Sequence, residues 1–170
     1  MDTQPSHLNE RGEVHMVEVG HKPATRRHAR ASGRLYARAE ICQAVLEGRV
    51  PKGDVLAVSR VAGIMAAKRT SEWIPLCHPL PLTRVEIAIE VQPTGFLVEA
   101  QVETTGPTGV EMEALTAVTA SLLTLYDMLK GMDRSMEISH IALQEKSGGR
   151  SGHFLREGDP DVDSRHIDEQ

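Results

Sequence analysis

From Ala114 to Tyr126 the chain carries no charged residue. A helix laid on one sheet normally turns a charged or polar stripe to water. The helix expected here, over 110–132, offers only Thr116, Thr119, Ser121, Thr124 and alanines where that stripe belongs. Such a helix is expected to have a sheet on one side and another subunit on the other. The plainer alternative is a monomer with a wet threonine face. Charges return at the two ends, as Glu111 and Glu113 at the start and Asp127 and Lys130 near the finish. At 1.5 Å per residue, Glu113 and Asp127 stand roughly 21 Å apart along the axis and about 40° out of register. One compact ligand touches both only if a second copy of the helix runs past in the opposite sense.

Periodicity and punctuation give the other elements. Ala29, Ala31, Gly33, Leu35 and Ala37 alternate with His28, Arg30, Ser32, Arg34 and Arg38, the period-two pattern of a half-buried strand. A short helix over 39–46 stops at Gly48, and Asp54 is placed to cap a second helix running to about Ser71. Pro75, Pro79 and Pro81 exclude helix from the next segment and make it a stiff loop. Val85, Ile87, Ile89 and Val91 line one face of a strand, Pro93-Thr94-Gly95 turns it, and 97–104 returns. A last strand over 136–145 changes its apolar phase near His140, which predicts a bulge. With the two adjacent helices counted as one layer the order is βαββαβ. The fold class expected is α+β, ferredoxin-like with an extra helix, its antiparallel sheet packed by helices.

Composition narrows the function. The 170 residues fit one domain, and 40% hydrophobic residues suffice for a core. Aromatics at 3% leave too few rings to stack single-stranded nucleic acid, and a net charge of −5 opposes a sequence-independent grip on DNA. Cys42 and Cys77 alone make neither a disulfide framework nor a cysteine-rich zinc site. No apolar run reaches the ~20 residues of a spanning helix, and no signal-peptide core opens the chain. A cytoplasmic protein with no nucleic-acid and no membrane partner is expected. Residues 153–170 hold six acids against two bases, an acidic flexible tail; 1–15 read as a disordered arm and 16–152 as the single domain.

Within that nearly neutral body, cations gather at Lys22, Arg26, Arg27, Lys52, Lys68, Arg69, Lys130, Lys146 and Arg150, a distribution that suits a small anionic ligand. Asp127 and Lys130, three apart, share one helical face. Such pairs are common surface decoration. Here Leu122, Leu123, Leu125, Met128 and Leu129 surround them, so the pair is expected off a solvated face, where a lysine and a carboxylate can trade a proton. Cys77-His78 has no further ligand at metal spacing. His78 reads as a donor or acid–base group on a pocket wall, Cys77 as buried filler. The run KSGGRSG over 146–152 suits phosphate or is a flexible exit from the last strand. Lys52-Gly53 ahead of a helix is an anion site or an ordinary loop.

Six segments taken together carry more: GVEMEALTAV (109–118), IPLCHP (74–79), KGDV (52–55), AGIMAAKRTS (62–71), YDM-x-K (126–130) and KSGG-x-SG (146–152). With them the chain closely resembles the cyclic pyranopterin monophosphate synthase family of molybdenum cofactor biosynthesis, over about residues 13 to 152. The resemblance implies a ferredoxin-like fold and a homohexamer, a trimer of dimers with the site at a dimer interface. It implies conversion of a 3′,8-cyclised dihydro-GTP, supplied by the preceding radical enzyme, into cyclic pyranopterin monophosphate with release of diphosphate. Asp127 and Lys130 correspond to the catalytic pair. Leu76, Cys77 and His78 correspond to the pocket loop, and Glu111, Met112 and Glu113 to the motif facing it. Arg27, Lys52 and Lys146 fall on basic positions beside the triphosphate. No redox cofactor and no metal is expected. Leu129, Gly131, Trp73 and Gly20 depart from the family's frequent Cys, Ala, Leu and Ser, and none of them removes a charged group. The rival class is a non-catalytic nucleotide-binding regulatory module on the same fold, which needs the cations but not the Asp127–Lys130 pair.

Overall fold

The computed structural model describes residues 7–158; the outer parts of the expected arm and tail, 1–6 and 159–170, lie outside the described residues. In chain order the elements are β1 (Thr25–Tyr36), α1 (Ala39–Leu46), α2 (Val55–Lys68), α3 (Thr70–Trp73), β2 (Leu82–Gln92), β3 (Gly95–Gly106), α4 (Glu111–Leu129), β4 (Glu137–Ser147) and β5 (Phe154–Leu155). The sheet runs β2-β3-β1-β4-β5, with every neighbouring pair antiparallel. Its first four strands are in ferredoxin-like order. The fifth differs from the sequence expectation: Phe154 and Leu155, assigned to the tail, pair with Lys146 and Glu145 of β4.

β1 is central and shows why the sheet has one core face. Ala29, Ala31 and Leu35 are completely buried, while Arg30, one residue out of phase, ion-pairs on the other face with Glu99 at 3.0 Å and Glu145 at 3.5 Å. The small residues of the inward row let α4 sit low on the sheet. A Cβ at Gly33 would lie 2.7 Å from Leu122 and 2.9 Å from Val118. Between β4 and β1 the register slips at Ser32/Arg34, and opposite that slip His140 takes φ 57°, the bulge its apolar phase predicts.

Asp54 caps α2 by accepting the Ala57 N–H at 2.9 Å. The helix ends at Lys68, and a separate turn, α3, follows, where sequence predicts one helix to about Ser71. α2 meets α4 through Gly63, where a Cβ would press on Ser121 Oγ and stand 2.8 Å from the Ala117 carbonyl. Ser121 donates to the Ser59 carbonyl at 3.0 Å. Part of the uncharged face assigned to another subunit is therefore covered by α2 of the same chain, burying Thr116 and Ser121. Thr119 and Thr124 return their hydroxyls to the carbonyls of Leu115 and Ala120 at 2.8 and 2.7 Å, which satisfies them without a partner side chain. Leu123 stays half exposed and lines one shallow surface hollow with Met65 of α2 and Trp73 of α3. Among the described residues no helix is long and apolar enough to cross a membrane.

Candidate active site

The functional side chains named by the sequence collect at the two ends of α4. At its N-terminal end the cap residue Val110 supplies no side-chain bond to the first-turn N–H groups, and the helix end is a positive pole that favours anions. Two cavities flank this pole. The smaller, about 310 Å³, is lined by Leu76, Cys77, His78, Met112 and Glu113, with Val17 and Val19 of the leading segment across from them. The larger, about 530 Å³, is lined by Thr25, Arg27, Pro107, Arg150 and Ser151. Lys22, Thr108, Gly109 and Glu111 line both. They are two lobes of one depression.

In the smaller lobe Glu113 is 4% exposed. Burial, reinforced by the charge of Glu111, pushes its carboxyl up to about 7, against a lesser opposing hydrogen bond from its own N–H. Near neutrality it therefore exists in both forms, as acceptor when ionised and donor when protonated. The Cys77 thiol is raised by burial and by Glu113, so it is no ready thiolate. Cys77 was expected as buried filler; it is instead a half-buried wall of the lobe. His78 Nε2 stands 2.7 Å from the Val17 carbonyl. A carbonyl only accepts, so Nε2 carries the proton, and the leading segment is held over the lobe.

The larger lobe is built by β1. Its inward row, Leu35, Gly33, Ala31 and Ala29, continues past the apolar core to Arg27 and Thr25. Arg27 donates through Nη2 to the Pro107 carbonyl at 3.2 Å and through Nη1 to the Gly148 carbonyl at 3.4 Å. Its Nε and the Thr25 hydroxyl are buried and have no partner among the described residues. Lys146 contacts Ser151 and lies 3.8 Å from Glu111. Together these groups present cations and unspent donors to a small anion.

At the C-terminal end of α4 the Lys130 ammonium binds Asp127 Oδ1 at 2.6 Å. Lys52, from the loop ahead of α2, reaches the Asp127 carbonyl at 2.8 Å and Oδ2 at 3.4 Å. Hydrogen bonds from Lys130 and then Lys52 hold the Asp127 carboxyl below its usual range. Within the single chain the pair is not shielded as expected: Asp127 and Lys130 side chains are 58% and 49% exposed. The surrounding leucines point elsewhere, Leu122, Leu125 and Leu129 into the core. Lys52 sits with this pair and not with Arg27 and Lys146.

Leu76, Cys77, His78, Glu111, Met112, Glu113, Arg27 and Lys146 thus come together, and Asp127, Lys130 and Lys52 form a second group about 21 Å away by helix rise. Lys22 and Arg150 are cavity walls as well; in the sequence Lys22 stands out only as one of the clustered cations, and Arg150 as part of the KSGGRSG run. Among the described residues no three His, Cys, Asp or Glu side chains group closely enough to hold a metal ion.

A ferredoxin-like sheet with a two-lobed, cation-lined depression at one end of its long helix places this chain among α+β proteins with a pocket at the helix end. Residues 16–149 match the model of the MoaC family, and the chain belongs to that family. A protein of Thermomicrobium roseum named cyclic pyranopterin monophosphate synthase is 60% identical over 163 residues, covering 95% of this chain and 96% of its own. Proteins of the same name from Pelotomaculum thermopropionicum and Heliobacterium modesticaldum are 55% and 53% identical, covering 91% and 89% of this chain and 92% and 97% of theirs.

Proposed function

We propose that this chain is a diphosphate-releasing lyase that converts 3′,8-cyclised dihydro-GTP into cyclic pyranopterin monophosphate. The two-lobed depression carries the reading. A guanine-type base fits the lobe where Glu113, as a carboxylate, accepts two N–H donors. The phosphates fit the lobe where Lys22, Arg27, Arg150 and the open helix pole converge. Opening and rebuilding of the base rings require proton transfers at nitrogen, and closure of the cyclic phosphate expels diphosphate, whose charge the cations stabilise. Asp127 is held ionised by two ammonium groups and is therefore a weak base. It orients Lys130, and Lys130 moves the proton.

These two groups meet on one substrate only between chains. We place the site at a dimer interface in which Asp127, Lys130 and Lys52 of one protomer close the depression of its partner, within a homohexamer arranged as a trimer of dimers. The apolar patch of Met65, Trp73 and Leu123 supports a further contact between copies, since lone soluble chains rarely leave such clusters open. Purified protein given the cyclised GTP should release diphosphate. Tight binding with no release would select the regulatory-module reading. A monomeric mass in active preparations would remove the shared site.

A further inference from the structure

We propose that the turn at Gly148 and Gly149 is a positioning element that fixes the Arg27 guanidinium as the anion-binding arm of the larger lobe. The inference rests on the reading that this lobe takes the phosphates. Among the described residues Arg27 is held by no carboxylate: its hydrogen-bond acceptors are two backbone carbonyls, Pro107 on one side and Gly148 on the other. Such bonds leave its positive charge uncompensated, and its buried Nε remains without an acceptor. An arginine clamped by neutral oxygens is preorganised for an anion.

The turn enforces this clamp sterically. Gly149 adopts φ 75°, and a Cβ built there would lie 2.5 Å from Arg27 Cζ and 2.9 Å from Nη2, with Nη1 nearer still. The colliding atoms are the far end of a flexible side chain, so an alanine at 149 displaces the guanidinium and leaves the backbone in place. Gly148 is different. At φ 96° its Cβ would press on the Arg26 carbonyl and stand 3.2 Å from its carbon, so substitution there strains the junction of β1 and β4. The two glycines divide the labour: Gly148 lets the chain pass β1, and Gly149 leaves room for the arm.

Gly48 supplies a control for backbone strain, with φ 66° and nothing within 4 Å of a built Cβ. Inorganic diphosphate is titrated by calorimetry into the full chain and into Gly149→Ala, Arg27→Ala, the double variant and Gly48→Ala. The wild type should bind, and Gly149→Ala should weaken binding about tenfold, the scale of one hydrogen bond to a charged group. Gly48→Ala should bind as the wild type does, with a thermal midpoint matching that of Gly149→Ala. The decisive reading is non-additivity: once Arg27 is alanine, adding Gly149→Ala should change nothing further. Unchanged affinity in Gly149→Ala, additive losses in the double variant, an equal loss in Gly48→Ala, or no binding by the wild type would each overturn the clamp. Turnover of the cyclised GTP separates this from the function. A wild type that turns over with a neutral Gly149→Ala sinks the clamp alone. A working clamp without turnover sinks the reaction alone.

Discussion

The two ends of α4 hold their charges under opposite conditions. At the start Glu113 is enclosed, its carboxyl pushed up to about 7 by burial and by Glu111. At the finish Asp127 is in the open, pulled down by Lys130 and Lys52. The first end sets a buried carboxyl into a cavity wall; the second sets an ammonium–carboxylate pair in the open. A charge pair in bulk water contributes little, so the open end gains chemical force only when something excludes solvent from it.

The largest effect expected is on the reagent. Lys130→Ala should lower kcat about 10³-fold, within the usual range for a lost acid–base group, while substrate affinity measured by calorimetry changes little; equal losses in both would make Lys130 a binding residue. The next test asks whether the two ends come from different chains. Glu113→Gln and Asp127→Asn, each inactive alone, should regain about a quarter of wild-type activity when co-expressed, because half of randomly paired dimers carry one intact site of two. No recovery would return both groups to one protomer. A third sharpens the enclosed end. Because the Glu113 pKa is raised on folding, its contribution to stability is fully present below about pH 4.5 and is lost as pH rises through about 7. Gln at 113 cannot ionise and keeps it. Glu113→Gln should therefore gain about 3 kcal/mol on the wild type in denaturant unfolding between pH 4.5 and pH 8, and parallel pH profiles would contradict the burial. The smallest effect belongs to the open end. Lys52→Ala should let the Asp127 carboxyl drift up toward its ordinary value in an NMR titration, without reaching it while Lys130 remains, and should leave the thermal midpoint unmoved.

Local signals in the sequence were legible wherever one element decides the outcome. The alternation from Ala29 to Leu35 locates the buried face of β1, the phase change at His140 locates the bulge, and Asp54 announces the start of α2. What could not be read depends on approach across the fold. Lys52 and Asp127 are far apart along the chain, and their contact follows from α2 packing on α4 at Gly63. The leucines around Asp127 suggest shielding, yet helical geometry sends Leu122, Leu125 and Leu129 inward and leaves Asp127 outside. Thr25 and Arg27 share the phase of Ala29, but nothing in a linear pattern says where an inward row passes from core to cavity. That boundary is set by where α4 begins. Phe154 and Leu155 lacked the length that makes a strand recognisable, and they pair because β4 offers an edge.

The central position of β1 has a consequence for anyone wishing to alter what this depression accepts. Its neighbours β3 and β4 lock it on both sides, and a slip by one residue would turn Arg30 inward and the alanines out. The strand that carries Arg27 therefore cannot be re-tuned by small steps. Variation must enter through the turns at 107–110 and 148–151, which makes those loops the natural targets for engineered or inherited changes in ligand preference.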